Sequence, residues 1–225
     1  MISDNIKNIL DRINTAKISA GREDDVRLVA VTKTRSIEEI SQVINSGITD
    51  LAENRVQEFM EKYDKLPGTV RWHIIGTLQT NKVKYIIDKV HMIHSVDRYS
   101  LIDEIDRQAK SKGVKMNILL QLNVAREPQK HGFEAEEAEN ALMYCTTKEN
   151  IIVKGIMMMA PANISEEELT VYFEKTENIY SQLMKFSGEY DNINIDTLSM
   201  GMTDDFECAV KCGSNTVRIG RALFV

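Results

Sequence analysis

Eight short apolar runs, each followed by a segment of helical spacing, constrain what this chain can fold into. The runs are Val26–Lys33, Asp50–Asn54, Arg71–Gly76, Met92–Asp97, Met116–Val124, Ile152–Ala160, Thr197–Met202 and Thr216–Phe224. Most are near-continuous rather than alternating. Strands buried on both faces read that way, which points to a parallel sheet. The intervening helices are expected over Ser36–Asn45, Arg55–Leu66, Gln79–Asp88, Tyr99–Lys112, Glu134–Lys148, Ser165–Phe186 and Asp204–Cys212. Ser36 with Glu39 forms a capping-box pattern, and Ser165 precedes an acidic first turn that suits the helix dipole. Strand then helix, repeated through eight strands, predicts an α/β fold, a single (β/α)8 TIM barrel. Residues 3–20 add an N-terminal helix, expected to pack on the barrel or to cover its bottom. The rival is an open doubly wound sheet. The missing GxGxxG after the first run counts against a dinucleotide-binding version of it.

Length and charge narrow the function. The 225 residues suit one α/β barrel, and no Pro/Gly/Ser linker divides 1–225, so one domain is expected. A net charge of −6 argues against a general nucleic-acid binder, which needs a basic face. It leaves room for a small anion at one local site. The N-terminus lacks the apolar core of a signal peptide, and no run reaches membrane-spanning length. Three cysteines, Cys145, Cys208 and Cys212, without a CxxC suggest a reducing, cytoplasmic setting. No metal site is expected, because the four histidines show no ligand spacing with the cysteines. No long exposed apolar stripe argues for an oligomer.

In such barrels chemistry gathers where the strands end. The first run ends on Lys33, in "LVAVTKTRS". An ammonium is expensive to bury unless something pairs with it. The plain alternative is a strand reaching the surface, with Lys33 in water. The second run ends on Glu53 and Asn54, and the third carries His73. The last two ends look like anion binders. "SMGMT" (Ser199–Thr203) offers two hydroxyls, a close-approach glycine and a helix start; "RIGR" adds Arg218, Gly220 and Arg221. TIM barrels often bind phosphate there. A lysine amine in the same barrel as a phosphate site suggests an imine with a phosphorylated aldehyde. Pyridoxal 5'-phosphate (PLP) is the obvious candidate. A sugar-phosphate aldolase is the physical rival.

The blocks "AVTKTRS", "LAENRVQE", "WHIIGTLQTNK", "IHSVD", "LQLNVAREPQKHGF", "LSMGMTDDFECAV" and "GSNTVRIGRALF" occur in order from Leu28 to Phe224. Together they resemble the pyridoxal phosphate homeostasis proteins, whose barrel is similar to the N-terminal domain of alanine racemase. The resemblance implies that Lys33 forms an aldimine with PLP and that Asn54 lies near the phenolic oxygen. It implies that His73 and Ile75 line the ring and that Met200 lies against the cofactor. Ser199, Gly201, Thr203 and Gly220 would hold the phosphate, and Arg218 would face the pyridine nitrogen. Two positions depart from the family pattern. Thr203 stands where serine is expected, and Arg221 where a smaller residue is usual.

The resemblance implies a PLP-binding monomer that buffers or delivers the cofactor, with apo PLP-dependent enzymes as acceptors. Arg218 only donates hydrogen bonds, so the nitrogen it faces stays unprotonated and is a poor electron sink. The β-rich second domain that gives alanine racemase-like proteins a second base is not expected, since the sequence ends just after the eighth run. An amino-acid racemase or decarboxylase of low activity is the alternative, with Lys33, His73 and Tyr85 as the poor bases available. Lys82 and Lys84 read as a solvated helix face, with a partner surface or second PLP site as the rival. Met157, Met158 and Met159 read as barrel packing.

Overall fold

A computed structural model describes residues 1–127, 129 and 131–225. Eight parallel strands close into a barrel in sequence order: β1 (Arg27–Val31), β2 (Asp50–Glu53), β3 (Arg71–Ile74), β4 (Met92–Val96), β5 (Met116–Leu122), β6 (Ile151–Met158), β7 (Ile193–Ser199) and β8 (Thr216–Ile219). The predicted barrel is what forms. The helices are α1 (Ile2–Ser19), α2 (Ile37–Asn45), α3 (Val56–Tyr63), α4 (Tyr99–Lys112), α5 (Ala138–Thr146), α6 (Glu166–Leu183), α7 (Phe206–Lys211) and α8 (Arg221–Phe224). Both serine capping boxes are present, Ser36 with Glu39 and Ser165 with Glu168.

Several boundaries differ from expectation: β7 begins at Ile193, four residues before the expected Thr197, and the segment before α5 starts as a 3-10 turn, Ala135–Glu137. The segment after β3 is a 3-10 helix, Thr80–Tyr85, rather than an α-helix. The eighth run ends its strand at Ile219, and Arg221–Phe224 turns into α8. The helix after β7 begins at Phe206, two residues later than the sequence suggests. Residues 128 and 130, in the Ala125–Phe133 stretch quoted above, lie outside the described residues.

The position of α1 follows from the shortness of α8. Four residues cannot cover a strand pair, so α1 packs against α2, α7 and α8 in the outer ring. It does not lie under the barrel. It buries Ile6, Ile9, Ile13 and Ala16, one stripe at helical spacing. Asn5 Nδ2 donates to the Leu223 and Val225 carbonyls, and Arg12 pairs with Glu207 of α7.

Side-chain alternation divides the barrel into two zones. Outward residues such as Leu28, Ala30, Leu51, Trp72, Ile74 and Ile93 join the helices in the main core. Inward apolar residues form two small clusters, Val29, Val31 and Ala52 in one, Met92, Leu119 and Met157 in the other. The space between them is filled by polar groups, described below.

The pairing of β6 shifts register on both sides between Val153 and Gly155. Gly155 has φ +146, and a Cβ there would lie 1.8 Å from the Thr197 carbonyl oxygen. Only glycine lets the irregular strand keep contact with β7. Gly155→Ala is therefore expected to lower unfolding free energy by more than about 2 kcal/mol in urea titrations. A near-native midpoint would show that the bulge relaxes freely.

Candidate functional site

A cavity of about 580 Å3 opens at the C-terminal ends of the strands, within the usual range for small-molecule sites. Lys33, Asn54, Ile75, Thr203, Arg218 and Gly220 line it, so six of the ten expected cofactor-site residues meet in one place. Val31, Gly76, Thr77, Gln121, Met159, Met202, Asp204 and Arg221 complete the lining. Met157 packs inside the barrel as expected, and Met159 packs against the same cluster while also lining the cavity. Tyr85 is not in the lining; its ring lies between Lys82 and Lys84, 5.7 and 5.0 Å from their ammonium nitrogens. Lys82 borders an adjoining cavity of about 560 Å3 that shares Asn54 and Thr77 with the first.

Lys33 lies in an exposed turn two residues beyond the end of β1. Its backbone is held from both sides by α3. Lys62 Nζ donates to the Thr32 carbonyl at 2.8 Å, and the Thr34 N–H donates to Glu58 Oε2 at 3.0 Å. Lys62 is nearly buried and also donates to Glu53 Oε1 at 2.7 Å, which accepts the Thr32 hydroxyl as well. Burial pushes the Glu53 carboxyl up, although both bonds pull it down. Thr34 has φ +62, a left-handed conformation that a β-branched residue rarely adopts. The lysine turn is thus strained and clamped.

Four expected residues lie elsewhere. His73, Ser199, Met200 and Gly201 are buried outside the lining. His73 and Ser199 belong to a hydrogen-bonded chain through the barrel interior. Arg218 NH1 donates to Ser199 Oγ at 2.6 Å. Ser199 Oγ lies 3.1 Å from His94 Nδ1, His94 Nε2 lies 2.9 Å from His73 Nδ1, and His73 Nε2 lies 2.9 Å from Asp50 Oδ1. Arg71 also bonds Asp50, at the barrel's opposite end. The ends dictate the direction. A guanidinium only donates, so Ser199 accepts from Arg218 and gives its proton to His94 Nδ1. His94 then carries its hydrogen on Nε2, and His73 carries its own on Nε2, aimed at Asp50. His73 does not line the cavity because alternation places it one inward layer below Ile75. His94 and Asp50 escaped sequence reading; the signal was their shared inward phase, at Met92 plus two and Ala52 minus two.

The electrostatics agree with that direction. Burial pushes His73 down, against the pull of Asp50, and pushes His94 well down, helped by His73 and Arg218. Burial lowers His91 to about 4 and Arg218 to about 10. Burial alone would raise Asp50, but the bonds from His73 and Arg71 outweigh it and bring it to about 2. Arg218 keeps its charge at neutral pH. A second bond, NH2 to the Met158 carbonyl at 2.9 Å, fixes its plane.

The loop after β7 supplies anion donors differently from expectation. Among the described residues, the N–H groups of Gly201, Thr203 and Gly220 have no protein acceptor. Met202 N–H is taken by Asp205 Oδ1 at 2.5 Å. Gly201 has φ +95, and a Cβ there would meet Ala209 Cβ at 2.7 Å, so the loop packs onto α7 only with glycine. Two of the unpaired N–H groups, on Thr203 and Gly220, lie in the lining; with the Thr203 hydroxyl and the neighbouring Arg221 they form a cavity end fit for a phosphate. Among the described residues no cluster of His, Cys, Asp or Glu is placed to hold a metal, and no helix is long and apolar enough to cross a membrane. Burial raises the Cys145 and Cys212 thiols to about 12, so neither is a ready thiolate.

The fold and site define a class. The chain matches the family model for the N-terminal domain of alanine racemase over residues 5–225. A pyridoxal phosphate homeostasis protein of Aquifex aeolicus is 39% identical over 221 residues, 97% of this chain and 95% of that one. The chain belongs to the pyridoxal phosphate homeostasis protein family. A Bifidobacterium adolescentis structure, described only as an unknown protein, is 33% identical with a TM-score of 0.91, covering 99% of this chain and 94% of that chain. PipY of Synechococcus elongatus, solved with PLP bound, is 27% identical with a TM-score of 0.84, covering 100% of both chains.

The buried imidazoles of His73 and His94 and the half-buried one of His91 give a pH signature. Each takes up a proton near pH 6.5 in the unfolded chain and resists it in the folded one. Stability is therefore full above that pH and falls as pH drops, with a limiting slope of about 1.4 kcal/mol per unit for an imidazole held wholly neutral. Asp50 adds a further loss as pH falls from about 4 towards about 2. Urea unfolding at pH 7.5, 6.5 and 5.5 is expected to show this decline. A flat profile would mean that His73, His91 and His94 are not held neutral.

Proposed function

We propose that this chain binds PLP and holds it through Lys33 for buffering or delivery, without dedicated turnover. The observation that carries the reading is one cavity combining a lysine on a clamped turn, unpaired backbone N–H groups and a buried, donor-only arginine. Family membership and a PLP-bound relative support it. In this reading Lys33 captures the cofactor's aldehyde. The Thr203 and Gly220 N–H groups and the Thr203 hydroxyl would take the phosphate, with Gly201 beneath them letting the loop pack on α7. Arg218 faces the ring nitrogen, and Asn54 and Ile75 border the ring. His73, Ser199 and Met200 act from beneath, through Arg218 and the loop. PLP supplies a reversible electrophile and a phosphate handle.

The donor set argues for carriage. Arg218 leaves a facing nitrogen unprotonated, which weakens carbanion stabilisation. In the described lining Lys33 is the amine, and the one carboxylate, Asp204, is engaged by Arg221. His73 is committed to His94 and Asp50 and offers no base to the cavity.

The test is direct. Borohydride treatment of the PLP-loaded protein is expected to fix the cofactor on the peptide carrying Lys33, and Lys33→Ala to lose both the label and the yellow colour. Amino acids in heavy water are expected to lose their α-proton no faster than with free PLP. Labelling confined to other lysines would sink the site assignment. Lys33-dependent exchange would move the racemase reading ahead. Apo-enzyme acceptors are expected to regain activity when mixed with the loaded protein.

A further inference from the structure

Arg221 follows Gly220 directly, and Asp204 follows Thr203 directly. Both pairs border the phosphate-competent end of the cavity. The two outer residues reach across it: Arg221 NH2 donates to Asp204 Oδ1 at 2.5 Å and Oδ2 at 2.6 Å. Their side chains are 65% and 79% exposed, so water already solvates the pair and screens it. Such a contact exchanges readily. A guanidinium presents five donors in a planar fork, and a phosphate monoester offers three oxygens and nearly two charges against the single charge of a carboxylate.

The geometry points to a latch at the phosphate end: Arg221 is a phosphate-specificity residue that Asp204 holds aside and that swings onto the phosphate group of an incoming ligand. The inference rests on the PLP reading and adds to it a selector for the phosphorylated over the unphosphorylated vitamer. The two members of the pair have opposite effects on ligand affinity. Arg221 attracts the phosphate. Asp204 competes for the same guanidinium and, once vacated, repels the anion beside it. If the ion pair merely braced the loop, either substitution would act in one direction.

The experiment compares Arg221→Ala, Arg221→Lys and Asp204→Asn with the wild type, titrating PLP and pyridoxal separately and following absorbance and stopped-flow release. Arg221→Ala is expected to weaken PLP roughly tenfold or more, the effect of losing a charge-assisted hydrogen bond, and to speed its release. Pyridoxal binding is expected to stay unchanged. Arg221→Lys keeps the charge and is expected to recover part of the loss. Asp204→Asn is expected to tighten PLP and to leave pyridoxal unchanged. Equal losses for PLP and pyridoxal, or weakening by both Arg221→Ala and Asp204→Asn, would overturn the latch while leaving the PLP site intact. Failure of the wild type to take up PLP in a Lys33-dependent way would overturn the PLP reading itself and the latch with it.

Discussion

A cation buried at the floor of the cavity governs the rest of this barrel. Arg218 is 3% exposed and keeps its charge, yet among the described residues no carboxylate forms an ion pair with it. The carboxylate whose charge acts on it is Asp205, and a relay through Ser199, His94 and His73 links the arginine to a second carboxylate, Asp50, which Arg71 already pairs. Each link is a neutral group that accepts on one side and donates on the other. The relay satisfies buried polar groups that would otherwise be costly, and its bonds polarise one another in a low dielectric. The interior of a TIM barrel is ordinarily packed with branched apolar side chains. Here apolar packing is confined to two small clusters, and the relay occupies the space between them.

The lysine is organised on a different principle. Arg218 is held from inside the barrel, whereas the Lys33 turn is held from outside, by α3. Lys62 and Glu58 lie four apart on that helix and so share a face. One takes the carbonyl before Lys33, the other the N–H after it. The clamp sustains the left-handed Thr34 and leaves the Lys33 side chain free of backbone duty. An anchored backbone with an exposed side chain suits a group that must bond a ligand and let it go.

The barrel is legible in the sequence because each strand is a compact apolar run and each helix a periodic one. Where periodicity is short, the reading fails: Thr80–Tyr85 has too few residues to separate a 3-10 turn from an α-helix, and Arg221–Phe224 continues an apolar run while changing conformation. Lys33, Thr203, Arg218 and Gly220 were recognisable from where they stand at strand ends. The relay was not. Its members come from β2, β3, β4, β7 and β8, and closure of the barrel alone brings them together. His73 shows the limit most clearly. Its place near a strand end was readable, but its depth depends on which layer of the barrel it fills, and depth separates a cavity wall from a buried relay.

The relay also ties the identity of residue 218 to that of residue 50. With a donor at one end and an acceptor at the other, four hydrogen bonds are satisfied by neutral imidazoles. An ionised carboxylate at 218 would put acceptors at both ends. Ser199 would turn to donate upward, His94 would have to donate to Ser199, and His73 would have to donate to both His94 and Asp50. One imidazole would then carry two N–H groups and a positive charge, in a site where burial already drives both imidazoles towards neutrality. Changing this floor from a donor to an acceptor therefore demands a rebuilt interior and not a single exchange. A fold shared with alanine racemase can host either task. In this chain the hydrogen-bond direction set at Asp50, on the far side of the barrel, keeps the cavity floor a donor.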